Sequence, residues 1–345
     1  MVIPFELLSE KMSEFGFEIF GIIQPQNLPH FNLYQSWIND EYFGQMKYLA
    51  QKDSIALRKN ITKIWRECKS VIVAGFSYPS ITISHENFDS NKYGLIAAYA
   101  CQIDYHHIIK KFLWRFISEL TNDIKIDIKA KVFCDTAPIL EKEHGFLAGL
   151  GWVGKNSLLI NPNLGSYFNI GLLLLNQEIS SYTTKRMEDY CGDCNLCIEA
   201  CPTHCIQENR TIDAKKCISY LTIENKEYPP DSLKETLRNR VFGCDICQDV
   251  CPWNSKFRRT HLTTKPALNP FFDLSTLNHF TEENYHAMVT NTPMARISYT
   301  QFLRNCIIAI GNNRQTKAKS FLTNVLSTST ETGLKELASW AIHLL

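Results

Sequence analysis

The sequence predicts an α+β protein made of several units, and three observations lead to that class. The chain has 345 residues, of which 45% are hydrophobic, enough for two or three units of ordinary size. Apolar runs in the first half show both strand-like and helix-like spacing, whereas the C-terminal end shows only helical spacing. Between these parts lie nine of the thirteen cysteines. We therefore expect an α/β unit at residues 1–183, a cysteine-rich unit at 184–265 and a helical unit at 266–345.

The first unit is predicted to combine buried strands with flanking helices. Branched apolar runs predict the strands, and apolar positions at helical spacing predict the helices. The predicted strands are Val71–Phe76, Tyr167–Leu175 and Leu158–Ile160, and the predicted helices are residues 1–20, Leu95–Leu120 and Pro138–Leu150. A glycine-rich stretch at residues 145–157 follows a helix and precedes a strand. A phosphate-binding loop has the reverse order, so we reject that interpretation.

Eight cysteines of the second unit form two interlocking rows, each of which ends in Cys-Pro. The first row is Cys191, Cys194, Cys197 and Cys201, the second is Cys244, Cys247 and Cys251, and Cys217 lies between them. Three cysteines at steps of three reach three corners of a cubane cluster, and in two-cluster ferredoxins the cysteine before the proline serves the other cluster. The spacing thus predicts a ferredoxin-like unit with two [4Fe-4S] clusters. The first ligand set is Cys191, Cys194, Cys197 and Cys251, and the second ligand set is Cys201, Cys217, Cys244 and Cys247.

Zinc and disulfides are the alternative interpretations of these cysteines. Zinc would leave the third cysteine of each row and both Cys-Pro endings unexplained. Disulfides need an oxidising compartment, but the first twenty residues are predicted as an amphipathic helix and not as an export signal. The longest apolar stretch, Ile170–Leu175, is far shorter than the roughly twenty residues that cross a bilayer. We therefore expect a soluble, cytoplasmic protein.

Five further cysteines are not needed by either cluster. They are Cys68, Cys101, Cys134, Cys205 and Cys306. Because single buried cysteines usually behave as small apolar side chains, we expect them to fill space in the core.

The last unit is predicted as a short HEAT-like helical cap. Its predicted helices are Thr281–Val289, Ser298–Ile310, Lys317–Leu326 and Gly333–Leu345, after two short helices of the cysteine-rich unit at Asp213–Glu224 and Ser232–Arg240. From Asn254 onward the chain has ten Lys and Arg against five acids, a local charge of +5 within a net charge of +1. Such a bias suggests a contact with phosphate, although it is more often only a solvated face.

Asp135 is the most informative residue of the first unit outside the motifs discussed so far. It follows a predicted strand and precedes a predicted helix, so it is either a catalytic acid or the cap of that helix. Glu141 either orients a partner or favours the helix dipole. Arg58 is by itself a surface cation, and Asp104 with His106 forms a hydrogen-bond pair more readily than a metal site.

Several segments carry a resemblance to a known family over nearly the whole chain. They include Asp104-Tyr-His106, Asp135-Thr-Ala-Pro-Ile-Leu-Glu141, Gly149-Leu-Gly-Trp-Val-Gly-Lys155, Cys217-Ile-Ser-Tyr-Leu-Thr-Ile-Glu224 and Gly243-Cys-Asp-Ile-Cys-Gln-Asp-Val-Cys-Pro-Trp-Asn254. The last two are highly specific. On these segments the chain resembles the epoxyqueuosine reductases, cobalamin-dependent iron–sulfur enzymes that remove the epoxide oxygen from epoxyqueuosine at the wobble position of tRNA.

The resemblance implies a corrinoid in the first unit, against the cluster unit, with the helical cap helping to hold an anticodon stem-loop. It implies that Asp135 gives a proton to the departing oxygen, for which its pKa must be raised. It also implies that the corrinoid contacts Arg58, Cys101, Asp135, Ser157 and Ser219. No Asp-x-His-x-x-Gly motif is present, so we expect cobalamin without a protein histidine on cobalt. We also expect a monomer that receives electrons from a low-potential donor such as flavodoxin or ferredoxin.

Two other functions stay open at this point. A corrinoid reductive dehalogenase shares a related arrangement of cofactors, but its usual form has a twin-arginine export signal that this chain lacks. A non-catalytic iron–sulfur electron carrier would need no cobalt. Cobalt content therefore separates the carrier from the two enzymes.

Overall fold

The computed structural model describes residues 2–80, 91–255 and 266–345. Its strands are β1 (Val2–Ile3), β2 (Ile19–Ile23), β3 (Ser70–Ser77), β4 (Tyr93–Ile96), β5 (Ala130–Phe133), β6 (Trp152–Val153), β7 (Leu159–Ile160), β8 (Phe168–Leu175), β9 (Glu178–Ile179), β10 (Arg240–Phe242) and β11 (Phe271–Asp273). Its α-helices are α1 (Phe5–Phe15), α2 (Phe31–Asn39), α3 (Lys52–Lys59), α4 (Tyr105–Ile124), α5 (Glu141–Leu147), α6 (Leu196–Ala200), α7 (Ile218–Ile223), α8 (Asp231–Lys234), α9 (Ile246–Asp249), α10 (Pro252–Ser255), α11 (Glu282–Val289), α12 (Tyr299–Asn313), α13 (Lys319–Thr328) and α14 (Thr332–Leu344).

A four-stranded antiparallel sheet, in the order β2-β3-β8-β5, forms the centre of the first unit. Successive leucines of β8 point to opposite faces of this sheet, as the pleat requires. Leu173 and Leu175 pack with α1 and α4 on one face, and Leu172 and Leu174 pack with α2 and α5 on the other. Because both faces are covered by helices, β3 and β8 are continuous apolar runs, and both predicted strands are confirmed.

The predicted helix Leu95–Leu120 is wrong in its first ten residues. Leu95 lies in β4, a 3-10 turn follows at Ala98–Cys101, and α4 begins only at Tyr105. The side chain of Asp104 accepts a hydrogen bond from the N–H of His106 at 2.9 Å, which satisfies a free donor of the first helical turn. A short apolar run fits a strand as well as a helix, and tertiary pairing decided this one.

Other predicted helices are shorter in the structure. The first is restricted to α1, because Gly16 ends it with a φ of 90° in the left-handed region. Helix α5 begins at Glu141 and not at Pro138, and the predicted helix Ser232–Arg240 ends early because Arg240 starts β10. The region predicted as helix Asp213–Glu224 contains a 3-10 turn and then α7.

A second sheet joins all three parts of the chain. Its central strand, β4, comes from the first unit and pairs parallel with β10 and antiparallel with β11. The backbone N–H of Ala98, just after β4, also donates to the Asp245 carboxylate at 2.7 Å. The cluster region therefore packs against fixed parts of its neighbours. The unit boundaries themselves stay a prediction.

The C-terminal helices α11 to α14 confirm the four that helical spacing predicted, with ends shifted by one to three residues. Helix α12 is buried along most of its length and packs against α14 and β10. None of the helices in the described residues is both long and apolar enough to cross a membrane.

Candidate iron–sulfur centres and catalytic site

The predicted cluster ligands fall into two neighbouring groups, which meet at Cys197 and Cys247. Cys191 and Cys251 share an apolar cluster with Trp152, Ile160 and Trp253. The electrostatic neighbours of the Cys197 thiol are the other three members of the first ligand set. In the second ligand set, Cys217 is a neighbour of both Cys244 and Cys247, and a further apolar cluster joins Cys201, Cys217 and Cys247. Within the described residues, no three His, Cys, Asp or Glu side chains are arranged to hold a single metal ion.

Backbone N–H groups lie next to sulfurs of both ligand sets. Their presence shows whether the surroundings of the cysteines suit iron–sulfur clusters. The Cys217 sulfur accepts from the N–H groups of Tyr220 and Ser219. The Cys251 sulfur accepts from Trp253 and Asn254. Donors that converge on sulfur stabilise the anionic thiolate that a cluster ligand must be. The donor set and its surroundings thus fit two clusters.

Aromatic side chains enclose one side of the first ligand set. The indole N–H of Trp152 donates to the Cys191 sulfur at 3.4 Å. The Trp152 ring packs edge-on against Trp253 and Tyr190 at 5.0 and 5.2 Å between ring centroids. Cys194 nevertheless remains exposed. Aromatic rings therefore cover the first ligand set on one side, and solvent reaches it at Cys194.

Asp135 follows β5 in a loop that holds it in the left-handed backbone region, with a φ of 59°. A non-glycine residue there is uncommon and marks a constrained position. The Asp135 carboxylate accepts a hydrogen bond from the Tyr105 hydroxyl at 2.9 Å and lies 3.3 Å from Nε2 of His106. Its backbone N–H donates to Glu141 at 2.6 Å. With 59% of its side chain exposed, Asp135 does not cap α5 and can meet a ligand.

Behind Asp135 the hydrogen bonds continue to a second carboxylate. Nδ1 of His106 lies 2.6 Å from Asp104, so the predicted pairing of these two residues is confirmed. No sequence pattern links His106 to Asp135, because 29 residues separate them. The result is a chain of titratable groups from Asp104 through His106 to Asp135.

Hydrogen bonds within this network shift the pKa values of its members. The hydrogen bond to His106 is the main reason why the pKa of Asp135 lies below its usual value; burial opposes it and Tyr105 adds to it. Burial alone would lower the pKa of His106, but its bonds to Asp135 and Asp104 outweigh burial and raise it. Burial and then the charge of Asp135 raise the pKa of Glu141 to about 8. A raised pKa of Asp135 beside a bound corrinoid stays a prediction.

Arg58 and residues from other parts of the chain surround the same region. Arg58 is only 7% exposed, which corrects its interpretation as a surface cation. Its guanidinium contacts Ser54 and lies 5.9 Å from the ring centroid of Tyr34. Tyr48 has Glu224, Arg296, Asp135 and Arg58 as electrostatic neighbours. Sequence reasoning missed Arg296, which reaches this region from the C-terminal part of the chain and pairs with Glu224 at 2.7 Å.

The other predicted contacts lie in different surroundings. The Cys101 thiol is buried and lies 3.5 Å from the carbonyl oxygen of Ala97. Ser157 has a left-handed φ of 64°, and its carbonyl accepts from Lys142 at 2.6 Å. Ser219 lies in α7, two residues after the ligand Cys217. Contacts of these three residues with a corrinoid stay predictions.

At least one basic residue of the C-terminal end is not available to phosphate. Four of the ten cations, Lys256, Arg258, Arg259 and Lys265, lie outside the described residues. Arg304 is 2% exposed and donates to the backbone carbonyls of Leu221, Asn225 and Glu227. It is therefore a structural residue and not an RNA contact.

Two sets of cluster cysteines beside a separate titratable site define an iron–sulfur oxidoreductase. A family model described as "4Fe-4S double cluster binding domain" matches residues 190–254, which favours clusters over zinc. A second model, "Epoxyqueuosine reductase QueG, DUF1730", matches residues 58–136. The chain is 38% identical over 304 residues to an epoxyqueuosine reductase of Cyclobacterium marinum, covering 87% of this chain and 94% of that protein. The chain belongs to the epoxyqueuosine reductase family.

Further relatives agree with this assignment. An epoxyqueuosine reductase of Escherichia coli is 33% identical over 305 residues, which is 87% of this chain and 78% of the relative. A crystal structure of a selenomethionine-labelled epoxyqueuosine reductase superposes with a TM-score of 0.87 at 25% identity, over 98% of this chain and 89% of that one. Another, at a TM-score of 0.86, 25% identity and the same coverage, is a complex with an epoxyqueuosine-modified stem-loop of tyrosine tRNA. The predicted family, fold class and enzyme class are confirmed.

Proposed function

We propose that this protein reduces epoxyqueuosine to queuosine at the wobble position of tRNA, with cobalamin and two [4Fe-4S] clusters. Family membership over most of the chain carries the proposal. It is supported by the likeness to a relative in complex with a modified tRNA stem-loop. The exposed Asp135 carboxylate, placed where side chains from all three parts of the chain meet, is where we expect the chemistry to occur.

The surroundings of Asp135 fit a large ligand with polar edges and apolar faces. Tyr48 offers an aromatic surface that is 47% exposed, and Arg58 and Arg296 supply charge beside it. Ser157 and Lys142 form the wall toward the second ligand set, since Cys247 is an electrostatic neighbour of Lys142. When bound, cobalamin supplies low-valent cobalt, a strong nucleophile and reductant. These residues would hold it next to Asp135.

The chain's own residues contribute to the reaction by holding and transferring a proton. We expect Asp135 to pass a proton to the oxygen that leaves the carbon ring, because general acids act from within hydrogen-bond reach. The hydrogen bond between the two residues lowers the pKa of Asp135 and helps to raise the pKa of His106, which supports His106 as a proton source for Asp135. In this proposal His106 resupplies Asp135, and Asp104 keeps the imidazole oriented.

The test is turnover of epoxyqueuosine-containing tRNA under anaerobic conditions with a low-potential reductant, followed by mass spectrometry of the nucleosides. Wild-type protein should contain cobalt and iron and form queuosine. Asp135→Asn should keep both cofactors but lose about 10²- to 10⁴-fold in rate, as expected for a general acid. Asp127→Asn, an exposed acid of the same unit, is the matched control. Normal turnover by the Asp135 variant would refute the acid role, and absence of cobalt and queuosine in wild type would refute the function.

Exposed cations near the start of α13 are the described candidates for contact with tRNA. Arg314, Lys317 and Lys319 all lie on the surface there. Phosphate contacts weaken with salt, because binding releases counterions. Changing all three to Gln should weaken tRNA binding and reduce the salt slope by about one for each lost contact. Arg115→Gln, on the first unit, serves as the control, and a salt slope that does not change would exclude these three residues.

Three further expectations belong to the same proposal. They are a cytoplasmic location, a monomeric state and a low-potential donor such as flavodoxin or ferredoxin. Size-exclusion chromatography with light scattering tests the second, and reduction of the clusters by each purified donor tests the third. The exposed corner at Cys194 supports a surface where such a donor could act.

A further inference from the structure

Cys205 lies among the ligands of the second set although the cluster spacing gives it no place there. The residue is 3% exposed. Its sulfur lies 3.5 Å from the sulfur of Cys201, and Cys217 packs in the same apolar cluster. These two neighbours come from different ligand segments, so one thiol lies beside two ligands that the proposed function places on the same cluster. Cys205 is therefore not the isolated core filler that the sequence suggested.

The backbone around Cys205 fixes this position. Its carbonyl accepts hydrogen bonds from the N–H of Asp213 at 2.8 Å and from the Gln207 side chain at 3.1 Å. A bridge between Ile206 and Ile212 follows immediately. Cys205 packs with Ile206 and Cys201 in a buried apolar cluster. Because the turn is held from several sides, the thiol is presented to its neighbours in one place.

A thiol at this position has a definite chemical effect on a cluster. A neutral S–H group donates a weak hydrogen bond, and a thiolate ligand accepts it. Hydrogen bonds to the sulfurs are among the factors that set the potential of an iron–sulfur cluster. The reduced cluster carries one more negative charge than the oxidised one. A donor therefore stabilises the reduced form more and raises the potential.

We propose that Cys205 tunes the second cluster by donating its S–H group to the ligand sulfur of Cys201. It is not a ligand itself and acts only through the ligands. This inference rests on the ligand assignment of the proposed function, but not on the tRNA substrate. The hydroxyl of Thr203, 3.5 Å from the Cys201 sulfur, is a second polar neighbour on the same side.

The experiment is a redox titration of the anaerobically purified holoenzyme, in which electron paramagnetic resonance follows both clusters. In Cys205→Ala the reduced-to-oxidised ratio of the second cluster at a fixed potential should fall by about threefold to tenfold. For a one-electron couple, tenfold corresponds to about 59 mV. The first cluster should not change. Cys205→Ser keeps a donor and should restore most of the ratio, and Cys306→Ala, in the buried face of α12, is the control for loss of a thiol.

Iron analysis separates the possible failures. Wild type and Cys205→Ala should both bind about eight iron atoms per chain, four for each cluster. An unchanged ratio in Cys205→Ala would overturn the proposal, and so would loss of about half the iron, which would make Cys205 a ligand. Wild-type protein with only one cluster would instead refute the ligand assignment of the proposed function. A potential shift without loss of iron supports the tuning role.

Discussion

The two ligand sets are both predicted from rows of cysteines but lie in different surroundings. The first ligand set is bordered by Trp152, Tyr190 and Trp253 and is exposed at Cys194. In the second ligand set, Cys217 and Cys244 pack against the largest hydrophobic core, which extends through the C-terminal helices. Cys247 and Asp135 are both electrostatic neighbours of Lys142. The difference is that the first ligand set has an exposed member, while the second packs against the core and shares a neighbour with Asp135.

Removal of one ligand from each set should give the largest contrast. Cys247→Ser should lose about half the iron and also destabilise the fold, because metal binding free energy is folding free energy where the site is part of the core. Cys194→Ser should also lose iron but unfold at nearly the wild-type temperature. Iron content and calorimetric melting measure both effects. Equal destabilisation by the two variants would remove the distinction between the sets.

Arg304 provides the next largest effect, since it links α12 to the region of the second ligand set. Its buried guanidinium donates to three backbone carbonyls, of Leu221, Asn225 and Glu227. Arg304→Ala leaves these acceptors without their donor and should cost about 3 kcal/mol of unfolding free energy. Arg314→Ala, at the exposed end of the same helix, should change stability by less than about 0.5 kcal/mol. Urea unfolding distinguishes them, and a neutral Arg304→Ala would show that the link is dispensable.

Substitution of Glu141 tests whether the surroundings of Asp135 are poorly solvated. In the folded protein the pKa of Glu141 is about 8, above the usual value of 4.5 for a glutamate. Between these two pH values the Glu141 carboxyl is protonated in the folded state and ionised in the unfolded state. Stability therefore falls as the pH rises from 4.5 to 8. Glu141→Gln should remove this fall and stabilise the protein at pH 8 by on the order of 1 kcal/mol. Melting temperatures at pH 5, 6.5 and 8 provide the measurement, with Glu6→Gln as an exposed control. A pH profile identical to wild type would contradict the burial argument.

The smallest effect is expected at Trp152, in the shield of the first ligand set. Trp152→Phe removes the N–H that donates to Cys191, a bond with a net value of about 1 kcal/mol. The potential of the first cluster should become slightly more negative, while that of the second stays unchanged. The redox titration already described resolves the two signals. A shift confined to the second cluster would contradict the assignment of Cys191 to the first.

Sequence spacing was most informative where neighbouring residues act together. The double-cluster unit, the strand Tyr167–Leu175 and the C-terminal helices all follow from short-range patterns, and the family model or the structure confirms them. The ligand role of each cysteine stays a prediction. Spacing failed at Leu95–Leu120, where pairing of β4 with strands more than a hundred residues away overrode the helical pattern. Hydrophobic periodicity is a local pattern and does not show which distant strand a segment pairs with.

The sequence by itself determined that the middle of the chain is a double-cluster unit, because rows of cysteines at short intervals are typical of cubane clusters. With the family resemblance it also singled out Asp135. Only the tertiary structure decided which groups surround that acid, since His106, Tyr105 and Glu141 reach it from other elements. It also brought the Cys205 sulfur to within 3.5 Å of the Cys201 sulfur. Potentials and pKa values depend on neighbours in space, and folding brings those neighbours together.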